Sequence, residues 1–240
     1  MTDTIVLASN NAGKLKEFNA LFAERNIRIL PQSQFVREEC AEPYGTFVEN
    51  ALAKARFAAK HSGLPALADD SGICVRALGG APGVLSARFA GDHPKSDAAN
   101  NAKVSELLAQ HDDRYCYYVC VLVLVRHESD PQPVIAEGIW PGQWQMQPAG
   151  GHGFGYDPHF YLPEHGCTAA ELPPEQKNHQ KPRKPPRPSI AGVVAENAGG
   201  RLGGVSLHYA KPCKNRVGRL KIEYNLQCMT HTLRIKGNTP

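Results

Sequence analysis

Two adjacent carboxylates, Asp69 and Asp70, follow an apolar run in the segment PALADDSGI. Carboxylates are costly to bury unless they are paired, hydrogen-bonded or bound to a metal. At the end of a buried strand, two of them can bind Mg²⁺ and activate water for attack on phosphorus, with Glu42 from the preceding loop completing the metal shell. The alternative is a turn that closes the strand, with backbone N–H groups satisfying the carboxylates. The spacing alone leaves both interpretations open.

A second cluster with chemical potential is the turn Ser9-Asn10-Asn11-Ala12-Gly13-Lys14. It links a short β-branched run to a helical pattern, so it offers backbone N–H groups, the positive end of a helix and an ammonium group. These features suit phosphate. It is not a Walker-type loop, because the first glycine of that motif is absent and Leu15 follows the lysine. An ordinary strand-to-helix turn is the alternative.

A third cluster is the glycine-rich aromatic segment GGHGFGYDP, which contains Phe154, Gly155, Tyr156 and Asp157. Glycines let a flat ring approach the backbone closely, and Phe154 has the geometry to stack on a base. A plain surface loop is the alternative. No paired His/Cys spacing surrounds this segment, so its histidines are not predicted to be metal ligands.

The elements that would position these clusters alternate between strand and helix. Apolar periodicity predicts helices from Gly13 onward, from a Thr46–Glu49 capping box to His61, and over 96–110. Short runs rich in β-branched and aromatic residues predict five strands, at 4–9, 27–30, 64–68, 115–126 and 134–140. The strand at 64–68 is expected to end at the carboxylate pair. The mixture predicts an α/β fold with a long mixed sheet.

Composition sets further limits on the 240-residue chain. The sequence contains no run of about 18 apolar residues, so no membrane span is predicted. The N-terminus lacks the pattern of a signal peptide, so none is expected. The seven cysteines form no CxxC pair, which favours reduced thiols in a cytoplasmic protein. Residues 1–177 carry 15 basic against 21 acidic side chains, whereas residues 178–240 carry 12 against 2. The basic, proline- and glycine-rich segment 178–240 is therefore predicted to be a weakly structured tail beside a domain at 1–177.

Taken together, the motifs are specific. The segments SNNAGK, TFVENALAKA, LADDSG, GGAPGVLSARFAG and GGHGFGYDPHFYLPEHGCTAAELPPEQK occur in one order along residues 4–177. In this order the sequence resembles the inosine/xanthosine triphosphate pyrophosphatase family, which acts on noncanonical purine nucleoside triphosphates. The resemblance implies an elongated mixed sheet with flanking helices, forming two lobes around a nucleotide cleft. It also implies a homodimer and Mg²⁺-dependent hydrolysis of ITP, dITP and XTP to the monophosphate and pyrophosphate.

The resemblance also implies roles for individual residues. Ser9, Asn10, Asn11, Ala12, Gly13 and Lys14 would bind the triphosphate, and Lys54 would add charge to the same phosphates. Glu42 and Asp70 would bind Mg²⁺, with Asp70 also polarising the attacking water and Asp69 supporting it. Ser71 would contact the nucleotide. Sugar and base would be framed by Phe154, Gly155, Tyr156 and Asp157, and Lys177 would reach the 6-oxo side of the purine.

The sequence departs from the family after Lys177. The family continues with a Ser-His-Arg segment that reads the purine, whereas this chain continues with Asn178, His179 and the basic tail. We hypothesise that a shift of reading frame produced this break. Codons for Gln-Lys-Pro-Arg, when read one base later, can encode Lys-Ser-His. Two alternative interpretations follow. The chain is a catalytically impaired remnant of the enzyme, or it is a nucleic-acid-binding protein that acts through its tail, although no specific nucleic acid is expected.

Overall fold

The structure is a computed structural model that describes residues 3–22, 27–92 and 94–173. Its helices are α1 (Ala12–Phe22), α2 (Phe47–Ser62) and α3 (Asp97–Leu108). The strands, in chain order, are β1 (Asp3–Leu7), β2 (Ile27–Pro31), β3 (Ala66–Val75), β4 (Tyr115–Val125), β5 (Val134–Trp144), β6 (Phe160–Leu162) and β7 (Cys167–Thr168). All three predicted helices and all five predicted strands are present. The tail at 178–240 lies outside the described residues.

The seven strands form one sheet in the order β2-β1-β3-β4-β5-β6-β7. β1 pairs in parallel with β2 and β3, and the remaining neighbours are antiparallel. The predicted mixed α/β class is therefore confirmed. The long β4–β5 hairpin lies near the middle of the sheet.

One strand prediction is wrong. The sequence predicts that the strand beginning at Leu64 ends at the carboxylates, but β3 continues through Asp69 and Asp70 to Val75. The reason lies in its neighbour, because β4 pairs with β3 in unbroken antiparallel register from Ala66 to Val75. Ladder hydrogen bonds along β4 therefore carry the strand past its two charged residues.

The helix that follows the first loop has clear signals at both ends. The side chain of Thr46 accepts a hydrogen bond from Glu49 N, as the capping box predicts, and the Thr46 hydroxyl donates to Glu49 Oε2 at 2.5 Å. Gly63 ends α2 in the left-handed conformation, with φ of 67°. Such a cap favours glycine because it has no Cβ. Both ends of α2 are thus fixed locally, which orients the side chains it presents to the sheet.

The two faces of the sheet are covered by different helices. Alanines of α2, including Ala51 and Ala55, pack on the face that carries Ala66, Ala68 and Val123. Phe18 and Phe22 of α1 pack on the opposite face, against Leu67, Leu122 and Leu124. Because side chains alternate along a strand, successive β3 residues point toward different helices. This alternation divides Asp69 from Asp70.

A third apolar cluster lies at the other end of the sheet. It combines α3 with β6 and with the loop before β6, and its buried members include Val104, Leu108, Trp144, Tyr156 and Phe160. Within the described ranges no cysteine forms a disulfide, and no helix is long and apolar enough to span a bilayer. The third cluster anchors the aromatic loop described below.

Gly72 provides a test of this packing. A Cβ at Gly72 would lie 2.4 Å from both Gly83 O and Ser86 Oγ, whereas a Cβ at Gly45 would meet nothing within 4 Å. We expect Gly72→Ala to lower the free energy of unfolding by about 1–3 kcal/mol because the core is overpacked. Gly45→Ala, the matched control, should change it by less than about 0.5 kcal/mol. Equal urea midpoints for the two variants would contradict the packing at Gly72.

Candidate active site

The candidate site forms where β3 loses its parallel neighbour. β1 pairs with β3 only at Ala66 and Leu67, and the last contact is the hydrogen bond from Ala8 N to Leu67 O, 2.8 Å. Beyond this point the chain turns away into α1. Within the described part of the chain, that edge of β3 makes only one further bridge, from Cys74 to Pro82. Asp69 and Asp70 therefore lie at a gap in this edge, between the end of β1 and residues 81–86, which cover the edge from Ile73 onward. The ends of neighbouring strands are where α/β sheets commonly bind ligands.

On the α1 face, Asp69 forms an ion pair with Lys14. Lys14 Nζ lies 2.6 Å from Asp69 Oδ2, and the carboxylate is buried while the lysine side chain is 39% exposed. Burial lowers the pKa of Lys14, but the neighbouring Asp69 more than offsets this, so the pKa of the ammonium is raised. Ser71 is exposed two residues along β3, on the same face. This face combines one cation from the turn with the first carboxylate.

On the α2 face, Lys54 lies between two carboxylates. Its Nζ is 3.1 Å from Asp70 Oδ1 and 3.3 Å from Glu42 Oε1. Lys54 belongs to α2, Asp70 to β3, and Glu42 to the loop before α2. Three separate segments thus bring their charges to one point, which the predicted site also required.

Asp70 has two features that distinguish it from an ordinary structural ion pair. Burial raises the pKa of its carboxyl, and the attraction of Lys54 compensates only in part, so the pKa stays above its usual value. Its second oxygen, Oδ2, is buried and makes no hydrogen bond of normal geometry with the residues the structure describes, although the nearby Asn50 side chain lowers the pKa of this carboxyl. A buried oxygen without a partner is unfavourable in the protein alone. Such an atom indicates a site for a cation or a water.

The donor set fits Mg²⁺. Asp70 and Glu42 supply carboxylate oxygens, the hard ligands that this ion prefers, and Oδ2 of Asp70 has an unused coordination position. The described ranges contain no cluster of three or more acidic, histidine or cysteine side chains that could bind a metal ion. Magnesium is often bound by only one or two carboxylates, together with waters and substrate phosphates. The two carboxylates therefore fit an ion shared with a phosphorylated ligand.

The turn before α1 is organised by Asn11. Its Oδ1 accepts hydrogen bonds from Gly13 N at 2.8 Å and Lys14 N at 3.1 Å, and Ser9 Oγ accepts one from Asn11 N at 3.2 Å. Asn11 thus acts as the helix cap, and Asn10, Ala12 and Gly13 are exposed. Because the Lys14 side chain reaches Asp69 from the same turn, the N-terminus of α1 lies close to this edge of β3.

The aromatic segment is a loop, and most of it is anchored. Tyr156 is buried and its hydroxyl donates to Ser86 O at 2.7 Å, so its ring belongs to the third apolar cluster. Asp157 Oδ2 accepts from Phe154 N at 3.1 Å, and its Oδ1 accepts from Tyr118 Oη at 3.4 Å. The Phe154 side chain, by contrast, is 84% exposed. The loop presents this one ring to solvent. Lys177 lies outside the described residues, so its role stays a prediction.

Three polar residues that support the site were not identified from the sequence. Asn50 of α2 is buried, accepts from Tyr44 N and donates to Tyr44 O, both at 3.1 Å, and its side chain also lowers the pKa of Asp70. Asp97 and Asn101 of α3 contact the aromatic loop. Two of them carried a signal in the sequence, because each is a polar residue on the apolar stripe of its helix. Asn50 lies next to Ala51, and Asn101 lies three and seven residues before Val104 and Leu108.

Fold and site together define a mixed α/β protein whose open sheet edge combines carboxylates, lysines and a helix N-terminus, a set suited to a metal–phosphate ligand. The chain belongs to the Ham1 family, whose model matches residues 5–185. It is 66% identical over 181 residues to a dITP/XTP pyrophosphatase of Neisseria meningitidis, covering 75% of this chain and 91% of that protein. It is 62% identical over 178 residues to a dITP/XTP pyrophosphatase of Chromobacterium violaceum, with 74% and 90% covered.

Solved structures give the same result for the fold. A HAM1 protein from Coxiella burnetii superposes with a TM-score of 0.71 at 49% identity, covering 73% of this chain and 90% of that one. A nucleoside-triphosphatase / dITP/XTP pyrophosphatase from Mycobacterium abscessus has a TM-score of 0.65 at 39% identity, covering 73% and 92%. The family named by the resemblance is thereby confirmed.

The Asn50 contacts can be tested directly. Asn50→Ala removes both hydrogen bonds to Tyr44 and frees the loop that carries Glu42. We expect the free energy of unfolding to fall by about 1–3 kcal/mol, because buried backbone groups lose their partner. Amide exchange over residues 40–45 should also accelerate. Asn19→Ala is the control, since Asn19 is exposed on α1 and donates only to Leu15 O within its own helix. Unchanged exchange over 40–45 in Asn50→Ala would contradict this role.

Proposed function

We propose that the protein hydrolyses noncanonical purine nucleoside triphosphates, ITP, dITP and XTP, to the nucleoside monophosphate and pyrophosphate, with Mg²⁺ as cofactor. The observation that carries the proposal is the buried Oδ2 of Asp70, which lies beside Lys54 and Glu42 and has no hydrogen-bond partner in the described ranges. Family membership and the names of the relatives support the substrate class.

The triphosphate is bound by the turn at residues 9–14 and by two lysines. Lys14 and Lys54 exchange part of their contact with Asp69 and Asp70 for phosphate oxygens, which carry more negative charge than one carboxylate. The N–H groups of Gly13 and Lys14 exchange the Asn11 cap for a phosphate oxygen in the same way. Ser71, exposed beside Asp69, adds a hydroxyl at the same edge. Before the ligand binds, the two lysines are therefore already paired with Asp69 and Asp70.

Glu42 and Asp70 would hold Mg²⁺, which would supply charge neutralisation and polarise the phosphoryl oxygens. Asp70 orients the attacking water and accepts its proton. The water oxygen forms a bond to the α-phosphorus as the bond from that phosphorus to the α–β bridging oxygen breaks. Pyrophosphate leaves, and the proton passes from Asp70 to solvent. Asp69 supports this step from the neighbouring position by fixing Lys14.

The base end of the ligand is framed by Phe154, Gly155, Tyr156 and Asp157. Phe154 stacks on the base because its ring is exposed, whereas the buried Tyr156 acts through the backbone it anchors. Lys177 reaches the 6-oxo group. No Ser-His-Arg segment follows Lys177, so two of the side chains expected to recognise the purine are missing. We therefore expect this difference to affect base selectivity more than phosphate chemistry.

The remaining parts of the proposal concern organisation. We assign the catalytic domain to residues 1–177 and treat 178–240 as an atypical basic tail. Support comes from the relatives, whose matches cover 72–75% of the chain. A homodimer in the cytoplasm is the arrangement that the family resemblance implies.

The test is pyrophosphate release by the full-length chain with Mg²⁺, comparing ITP and XTP with ATP and GTP. We expect turnover of ITP and XTP to exceed that of ATP and GTP, and Asp70→Asn to reduce kcat at least about 100-fold because the proton acceptor is lost. Asp112→Asn is the matched control, since Asp112 is exposed in the turn before β4. It should retain wild-type turnover.

Two results would contradict the proposal. Near-normal activity of Asp70→Asn would refute its assignment as base and metal ligand. Absent or unselective turnover by a folded wild-type chain would instead favour the impaired remnant. Salt-sensitive DNA binding that disappears on deletion of residues 178–240 would favour the nucleic-acid-binding alternative.

A further inference from the structure

The peptide groups of Gly155 are bound on both sides by one helix. Gly155 N donates to Asp97 Oδ2 at 2.8 Å, and Gly155 O accepts from Asn101 Nδ2 at 3.0 Å. Asp97 and Asn101 are four residues apart on α3, so their side chains lie on one face of the helix. We call these two hydrogen bonds the Gly155 clamp. The clamp joins α3 to the residue that directly follows the exposed Phe154.

The clamp completes the anchoring of the aromatic loop. Its other attachments are Asp157 to Phe154 N, Asp157 to Tyr118 and Tyr156 to Ser86. Gly155 itself has φ of 61°, a left-handed conformation that other residues rarely adopt. A special conformation persists only where surrounding contacts determine it. The clamp supplies those contacts on both sides of the residue, and the backbone from which the 84% exposed Phe154 ring projects is therefore fixed.

Asn101 has more than a packing role. It is 9% exposed, and its Oδ1 is a buried atom without a hydrogen-bond partner in the described parts of the chain. A buried carboxamide with an unsatisfied oxygen costs free energy, so an apolar residue would be cheaper at this position of the α3 stripe. The contact that distinguishes Asn101 from such a residue is its hydrogen bond to Gly155 O.

We propose that Asp97 and Asn101 are positioning residues for base recognition. Through the Gly155 clamp they fix the backbone position from which the Phe154 ring reaches the flat heteroaromatic base. This inference rests on the proposed function, because it assumes that a nucleotide base lies against Phe154. According to this proposal, α3 affects the affinity for the base but not the chemistry at the phosphates, because none of the proposed phosphate-binding residues belongs to α3.

Steady-state kinetics with ITP test the proposal. We expect Asn101→Ala and Asp97→Ala each to raise KM about fivefold with kcat changed by less than about twofold, the effect of one lost hydrogen bond on binding. Inhibition by inorganic triphosphate, which has no base, should keep its wild-type constant. Asp97→Asn retains an acceptor oxygen and should restore most of the affinity. Glu106→Ala, at an exposed position of the same helix, is the control for general effects on α3.

A double-mutant cycle with Phe154→Ala separates positioning from structure. If the clamp acts through the ring, Asn101→Ala adds no further increase in KM once Phe154 is removed. Additive increases, or weaker inhibition by inorganic triphosphate, would overturn the proposal.

Amide exchange over residues 150–157 provides a readout that does not depend on activity. Asn101→Ala should accelerate exchange there while leaving β3 and β4 unchanged, and wild-type exchange rates in this variant would overturn the clamp. If the wild-type chain hydrolyses no triphosphate, the proposed function fails, and this arm still decides whether the clamp orders the loop. If Asn101→Ala does not fold, Asp97→Ala, at an exposed position, carries the same tests.

Discussion

The site depends on the difference in length between two neighbouring strands. β1 has five residues and β3 has ten, and the two pair at only two positions. β4 supports β3 along its whole length, so the strand continues as regular structure after its other neighbour has turned away into α1. Two carboxylates therefore stand on a rigid strand at an open edge. The same turn brings the N-terminus of α1 and Lys14 to that edge.

Strand alternation then distributes the charges. Asp69 faces α1 and meets Lys14, whereas Asp70 faces α2 and meets Lys54 together with Glu42. Each pair is partly removed from water. In this less polar surrounding the attraction between opposite charges is stronger, and an unpaired charge is more costly, than in water. The lysines thus stabilise the carboxylates in the protein alone and remain within reach of an incoming polyphosphate. Among the residues that the structure describes, one buried oxygen of Asp70 has no hydrogen-bond partner, which distinguishes this carboxylate from Asp69.

Much of this arrangement was predictable from the sequence, because the signals are local. The capping box at Thr46, the helical period after Gly13 and the β-branched run of β4 gave the elements, and the order of the motifs gave the family. The end of β3 was predicted wrongly because charged residues normally signal a strand end, and the register with β4 overrides that signal. Asn50 and Asn101 were missed for a similar reason. Their roles depend on contacts with backbone groups of Tyr44 and Gly155, which no periodicity reports.

We propose that Glu42 and Asp70 form a cation site in which the Lys54 ammonium already compensates the two charges. Calorimetric titration of Mg²⁺ into the full-length protein and into Lys54→Met, without nucleotide, tests it most directly. We expect Lys54→Met to bind Mg²⁺ several-fold more tightly, because two close carboxylates lose their shared cation, and Lys54→Met with Asp70→Asn to lose this gain. Equal or weaker Mg²⁺ binding by a folded Lys54→Met would contradict the claim.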